Sequence, residues 1–531
     1  MRLTAQRRPD MARQKAGILS NAALVGTATM ASRITGFMRD IFLAALLGAG
    51  PLAEIFVIAF RLPNLFRRLF AEGAFSAAFV PLFSARLTQK NEAAALAFAG
   101  QIISVLVAAL ALFTLLAEIF MPALVLALAQ GFAGDAAKFD LAVHYARISF
   151  PYLIFMSLMA VFAAMLNAVK RFFAAAMAPI LLNLILIAAM ALALLHHIAP
   201  QDERLLDYLI YAVTLAGLAQ FLFVFIAAWR AGLRAKLGLP VLSDDVRKLW
   251  RLAVPGILAA GIGQINLLIG TSIATGQAGA AAWLYYADRL YQLPMGVIGV
   301  ALAIALLPEL SRRLAAGETA RAREAQNIAL LAAGALTLPA AAGLFVLAEP
   351  IVGLLFERGA FTAADSAVTA RLIALFALGL PAFVFVKALQ PAFFARQDTR
   401  APLIDGAIGV AVNIGISLTF FPAYGAPAIA IATVAAGYVT LALMLARMMR
   451  RDIYHLSFDL LRRLGGQLFA ALFMAAALHF LMAQIAIPPS LAGQALWLGA
   501  MIGGGGIIYA LLVLLLGGVR RADIAHLRGA K

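Results

Sequence analysis

The chain has 531 residues, 64% of them hydrophobic and only 13% charged, with a mean hydropathy of +0.95 and a formal net charge of +17. A soluble domain is about half apolar and about a quarter charged, so a water-soluble fold does not absorb this surplus, and the absence of cysteine excludes disulfides and thiolate metal sites. The basic excess would suit nucleic acid, but its placement along the chain reads as membrane topology instead.

In chain order, residues 1–19 form a basic N-terminus with Arg2, Arg7, Arg8, Arg13 and Lys15. The apolar stretch behind it is too long for a cleaved signal and holds Arg33, Arg39 and Asp40, so it reads as a retained first span. Apolar runs of about 20 residues, enough to cross about 30 Å of hydrocarbon, recur almost to the C-terminus. The predicted spans are 20–48, 51–84, 93–129, 141–167, 173–197, 206–229, 249–276, 280–311, 325–348, 366–395, 401–421, 425–447, 464–486 and 494–517. The expected fold class is an all-α polytopic membrane protein with about fourteen transmembrane helices. Its expected parts are the N-terminus 1–19, an N-lobe of six spans at 20–230, a cytoplasmic linker at 231–248, a C-lobe of six spans at 249–450, spans 13 and 14 at 451–518, and a tail at 519–531.

With the N-terminus inside, the connectors on the cytoplasmic side and the two termini collect about 30 cations, whereas the opposite connectors hold only Lys138, Arg204 and Arg358. That asymmetry predicts both termini in the cytoplasm. The chain also repeats itself. The segment from Pro81 to Leu87 returns at Pro308 to Leu314, Phe132 with Asp135 returns as Phe361 with Asp365, and Pro151 as Pro381, at offsets near 225 to 230 residues. Six spans separate the copies, and an even number preserves orientation, so two parallel six-helix bundles are expected, with spans 13 and 14 appended.

Once the aqueous segments are set aside, the cations left at membrane depth are Arg33, Arg39, Arg61, Arg67, Arg68, Arg147, Arg289, Arg371 and Lys387. A charge near the bilayer centre costs about 2.5 to 3.5 kcal/mol even on lenient scales, so this set implies a wet cavity or mutual pairing. The candidate acidic partners Asp40, Glu54, Glu72, Asp288 and Asp405 are too few to neutralise it. Arg33 and Asp40 fall on one helical face, separated by about 10 Å. Pro63 is expected to break span 2 just before Arg67 and Arg68, with Glu72 one turn on. In span 8, Asp288 and Arg289 follow Tyr285 and Tyr286, and Pro294 and Gly296 loosen the helix below. Guanidinium groups bind phosphates in bidentate fashion, so a net-cationic cavity points to an anionic, phosphate-bearing substrate. The plainer reading stands beside it: Arg61, Arg147, Arg371 and Lys387 near span ends would snorkel, and Asp40 and Asp288 serve equally as structural counter-ions.

The six histidines are dispersed and lack metal-ligand spacing, and no phosphate-binding loop of the GxxxxGK[ST] type occurs. Asp244 and Asp245 lie among Arg and Lys and read as a solvated loop. A membrane glycosyltransferase would need acidic residues and sizeable ordered loops on the outer face, which the short connectors do not offer. A drug exporter for cations would need an acidic pocket. Arginines read pyrophosphate and not sugar, so the charge pattern fits a carrier of any pyrophosphate-linked glycan lipid equally well.

The run from Ser32 to Asp40, the longer string from Phe60 to Ser76, the segment from Tyr285 to Leu290, and Arg396-Gln397-Asp398 resemble the MurJ (MviN) family over essentially the whole chain. That family comprises lipid II flippases of the multidrug/oligosaccharidyl-lipid/polysaccharide (MOP) exporter superfamily. The resemblance implies transport of undecaprenyl-pyrophosphate-linked disaccharide-pentapeptide to the periplasmic leaflet of the bacterial inner membrane, for peptidoglycan synthesis. It implies two lobes in a V around a central cationic cavity, and a groove for the lipid tail at spans 13 and 14. Arg33, Arg39, Asp40, Arg67 and Arg289 are the implied substrate-binding residues, with Arg33, Arg39 and Arg289 on the pyrophosphate. Glu54, at a usually acidic position, and Arg68, Glu72, Asp288, Gln292 and Lys387 are expected as gate or supporting groups. Gln292 departs from the family, which often has an acid there, and this puts a proton-coupled gate at that position in doubt. No cofactor is implied; the driving force is the membrane potential or a sodium or proton gradient. The expected partners are lipid II, bilayer lipids and the cell-wall synthesis and division machinery, not nucleic acid.

Overall fold

A computed structural model describes residues 7–70, 74–89 and 91–520. Every regular element among them is helical, and the chain divides into two compact units, Met1–Leu268 and Ile269–Lys531. The first holds α1 (Arg7–Leu47), α2 (Pro51–Phe70), α3 (Ala74–Gln89), α4 (Glu92–Ile119), α5 (Met121–Leu128), α6 (Ala136–Ser149), α7 (Tyr152–Ala168), α8 (Phe173–Leu195), α9 (Arg204–Arg230) and most of α10 (Asp244–Ala274). The second holds α11 (Ala280–Pro294), α12 (Val300–Ala315), α13 (Thr319–Val346), α14 (Ala348–Phe356), α15 (Ala363–Phe394), α16 (Arg400–Tyr424), α17 (Ala426–Arg450), α18 (Phe458–Gln484) and α19 (Leu491–Leu515). The first helix begins at Arg7, so the basic N-terminal residues from there on continue into the expected first span without a break.

Helix starts are written locally. Asn91 caps α4 by accepting from the Ala94 N–H at 2.8 Å, and Asp135 caps α6 through Lys138 N–H at 3.1 Å. Thr362 and Asp365 form a reciprocal capping box at α15, and Ser457 and Ser490 cap α18 and α19.

The duplication is visible in element lengths. A long helix, a short one, a long proline-containing run and a helical pair occur in the first unit as α4 (28 residues), α5 (8), α6 with α7 (14 and 17), α8 (23) and α9 (27). The second unit repeats them as α13 (28), α14 (9), α15 (32), α16 (25) and α17 (25). In the first unit α8 packs on α9 and α1, and α7 on α9; in the second, α15 packs on α11, α13 and α17, and α16 on α17. Small residues permit the close approach, with Ala428, Ala430 and Ala432 of α17 buried. Large apolar side chains such as Leu112, Leu115 and Ile119 point outward, as bilayer solvent allows.

Eleven helical runs of the described residues are long and apolar enough to cross a membrane. They match eleven of the fourteen expected spans. The other three, 20–48, 51–84 and 249–276, correspond to α1, to α2 with α3, and to α10. Of these, α1 and α2 hold most of the intramembrane charge, which is why apolarity alone does not select them.

Candidate functional site

On α1, Arg39 and Asp40 are both buried, 5% and 2% exposed, where the helix packs on α8. Arg39 donates to Asp40 Oδ1 from Nε at 3.0 Å and from Nη2 at 2.6 Å, and from Nη1 to Asn183 Oδ1 at 2.9 Å. Asn183 in turn donates to the Ser32 carbonyl at 3.0 Å and to Thr35 Oγ1 at 3.2 Å, and Gly36 leaves room for its amide. Three donors of Arg39 are thus committed inside the first unit. Asn183 was not anticipated; its only signal in the sequence is a lone amide in an otherwise apolar run. Arg33, two turns earlier and half-buried, makes no ion pair among the described residues.

Pro63 does not break α2; the helix runs through it to Phe70. Proline removes the N–H that would pair with the Ala59 carbonyl, and the buried Ser149 hydroxyl, at the end of α6, donates to that carbonyl at 2.8 Å instead. Asn64 donates to the Phe60 carbonyl at 2.8 Å and accepts from Arg67 Nε at 3.1 Å, so Arg67 is oriented from one turn back. Arg68 is exposed beside it, and Glu72 lies outside the described residues.

At the start of α2, Glu54 is fully buried and receives Lys138 Nζ at 2.5 Å from the first turn of α6, while that ammonium also lies 4.1 Å from the Phe132 ring centroid. The repeated place in the second unit carries a different contact of the same kind. Trp283 Nε1 of α11 donates to Asp365 Oδ1 on the first turn of α15 at 2.8 Å.

In α11, Arg289 stacks over the Tyr285 ring at 4.7 Å and donates to its hydroxyl at 3.2 Å. Gln292 donates to Asp288, so the departing residue is a neutral partner of the neighbouring carboxylate. Tyr286 packs on Phe356 and Phe361, and Tyr291 stacks on Phe376, which seats α11 against α14 and α15. Below Pro294 the helix widens into a π-turn over Met295–Gly299 before α12, the loosening expected there. The Lys387 stem of α15 lies across Gly299, where any Cβ would meet its Cδ at 2.7 Å. Asp405, fully buried in α16, pairs with Arg447 of α17 at 2.5 Å, so a cation counted as a topology signal instead neutralises a membrane carboxylate.

Within each unit, then, part of the intramembrane charge is cancelled by a buried partner, while Arg33 and Lys387 make no ion pair among the described residues. A duplicated helical chain of apolar spans bearing such groups is a multi-pass membrane transporter. In fold it is similar to an inward-facing multidrug resistance MATE family transporter of the MOP superfamily (TM-score 0.66, 16% identity, 81% of this chain and 98% of that one). It is also similar to a structure titled as lipid II flippase MurJ in an inward closed conformation (TM-score 0.78, 22% identity, 94% of this chain and 99% of that one). The chain belongs to the lipid II flippase MurJ family, whose model matches residues 43–498. A probable lipid II flippase MurJ of Rhizobium meliloti (strain 1021) is 46% identical over 507 residues, 94% of each chain. The lipid II flippase MurJ of Burkholderia cenocepacia is 34% identical over 459 residues, 85% of this chain and 88% of that one.

Proposed function

We propose that the chain carries lipid II from the cytoplasmic to the periplasmic leaflet of the bacterial inner membrane by alternating access, with both termini in the cytoplasm. The observation that supports this most directly is Arg33, an arginine in a span with no acidic partner among the described residues, on a chain of the lipid II flippase family. A guanidinium left in that state is a receptor for a pyrophosphate. Arg289, faced by Tyr285, supplies a cation from the second repeat. Arg39, held by Asp40 and Asn183, orients the helix that presents Arg33, and Arg67 acts near a gate.

Positive charge left over in the spans also responds to the membrane potential, at about 2.3 kcal/mol per charge per 100 mV. The potential therefore resets the empty carrier without ATP. Flipping that persists after an ionophore collapses the potential would remove this driving force from the scheme.

The decisive experiment measures the leaflet distribution of lipid II in cells depleted of the protein, with an outer-face enzyme that cleaves only exposed headgroups. Cleavage lost on depletion, restored by the intact chain and not by Arg33→Ala, is the expected result. Unchanged cleavage on depletion would point to a different polyprenyl-pyrophosphate glycan or to a redundant carrier. Association with cell-wall synthesis and division proteins is part of the same proposal, and is checked by co-purification from growing cells.

A further inference from the structure

Residues 231–243, between α9 and α10, are not helical, yet they are firmly seated on the first unit. The Gly238 N–H donates to the buried Ser104 hydroxyl of α4 at 3.0 Å, and Ser243 donates to Gln101 at 3.0 Å. Gly100 lies directly under the Lys236 carbonyl, where a Cβ would overlap that oxygen, and Asp245 pairs with Arg86 of α3. The backbone of this connector is therefore a strap on α4; Leu233 is buried and Ser243 bonds inward, whereas the aliphatic side chains from Leu237 to Leu242 face outward. Four aliphatic residues within six positions are strongly exposed: Leu237 66%, Leu239 84%, Val241 53% and Leu242 64%.

An aqueous connector has no reason to carry such a patch, and its surroundings indicate what covers it. It begins where the α9 span ends, at Trp229 and Arg230, so it sits at the level of a bilayer surface. Its contacts on α4 at Gly100 and Ser104 lie about 12 to 18 Å along that helix from Glu92, so the strap runs beside the first turns of an apolar span rather than through bulk water. Exposed cations flank the patch on both sides, Arg230, Arg234 and Lys236 before it and Arg247 and Lys248 after it, and Arg234 stacks on the half-exposed Trp229 ring at 4.5 Å. Aliphatic side chains rimmed by Arg and Lys with an interfacial Trp match the chemistry of an anionic lipid surface. We infer that the connector is a membrane-surface strap, with Leu237, Leu239, Val241 and Leu242 dipped into the lipid and the flanking cations on anionic phospholipid headgroups. This goes beyond the transport reading and does not depend on it.

Because the chain has no cysteine, one reporter can be placed cleanly. The full-length Leu239→Cys variant, labelled with the polarity-sensitive fluorophore NBD, is reconstituted in phosphatidylcholine vesicles with and without phosphatidylglycerol. The expected result is blue-shifted emission, quenched by lipids spin-labelled near the headgroup and resistant to iodide, with lipid quenching at least about twofold stronger when phosphatidylglycerol is present. The triple variant Arg230→Gln, Arg234→Gln, Lys236→Gln should lose that twofold gain, and circular dichroism shows whether it stays folded. Emission that is red-shifted and iodide-accessible in both lipids overturns the strap. Lipid quenching that is identical in both lipids, or unchanged in the folded triple variant, overturns the anionic selectivity. A blue shift that appears only on adding cytosolic extract overturns the lipid reading in favour of a protein partner.

Discussion

Arg33 and Arg39 stand six residues apart on one helix and have different surroundings. Asp40 and Asn183 occupy Arg39, whereas among the described residues no acid meets Arg33. Removing one member of a buried ion pair leaves an uncompensated charge, so Asp40→Ala should destabilise the first unit by about 3 kcal/mol. Arg33→Ala should leave stability within about 0.5 kcal/mol while abolishing lipid II flipping. Thermal unfolding in detergent, run beside the leaflet assay, separates the two; a large loss of stability in Arg33→Ala would make that residue structural. Away from the spans, Asp398 is held below the usual carboxylate range, chiefly by the Ala401 N–H, with burial opposing and Arg451 at 2.6 Å assisting. A depressed pKa contributes stability above the unfolded value of about 3.9 and loses it as pH falls through the folded value. Amide exchange at Ala401 should therefore rise relative to its intrinsic rate below about pH 4, and Asp398→Asn should be insensitive to that change. The sequence exposes such residues only halfway: a charge in an apolar run is conspicuous, but its partner is not. Arg39 was legible and Asn183 was not, because the pair spans 144 residues and exists only once α1 packs on α8.

At the scale of elements, prolines were readable and their consequences only in part. Pro63 predicts a broken helix, but the Ser149 hydroxyl replaces the missing donor, and α2 stays whole up to Arg67 and Arg68. Ser149→Ala strands the Ala59 carbonyl and should cost about 1 to 3 kcal/mol. Adding Pro63→Ala restores a backbone N–H four residues on, so the double variant should recover most of the loss. A double-mutant cycle with additive losses would reject this account. At Pro294 no such hydroxyl compensation is found among the described residues, and the helix relaxes into a π-turn, as the sequence suggested. The helix starts at Asn91, Asp135, Thr362 and Ser457 are set locally, the cap and the N–H it accepts from being three residues apart, but the apolar pattern used to place the spans does not register them.

Over the whole molecule, the duplication was legible from a shared offset, and it reappears as matching helix lengths. Spans 1 and 2 are harder to count because transporters place their working charge in just such helices, which erodes the apolar signal. The copies have also diverged at one joint, from Glu54 with Lys138 in the first to Trp283 with Asp365 in the second. Exchanging the ions, Glu54→Lys with Lys138→Glu, should retain more stability and flipping than either single change, each of which strands a buried charge at about 3 kcal/mol. Equal damage in all three variants would show that the joint is more than an ion pair. Under the proposed alternating access these joints serve as fulcrums. Arg67 lies thirteen residues beyond Glu54, a lever of about 20 Å, whereas Arg289 lies six beyond Trp283, a lever of about 9 Å. A tilt of about 15° at each joint swings Arg67 through about 5 Å and Arg289 through little more than about 2 Å at helical rise. On that proposal one arm of the carrier has the long stroke and the other the near-stationary grip.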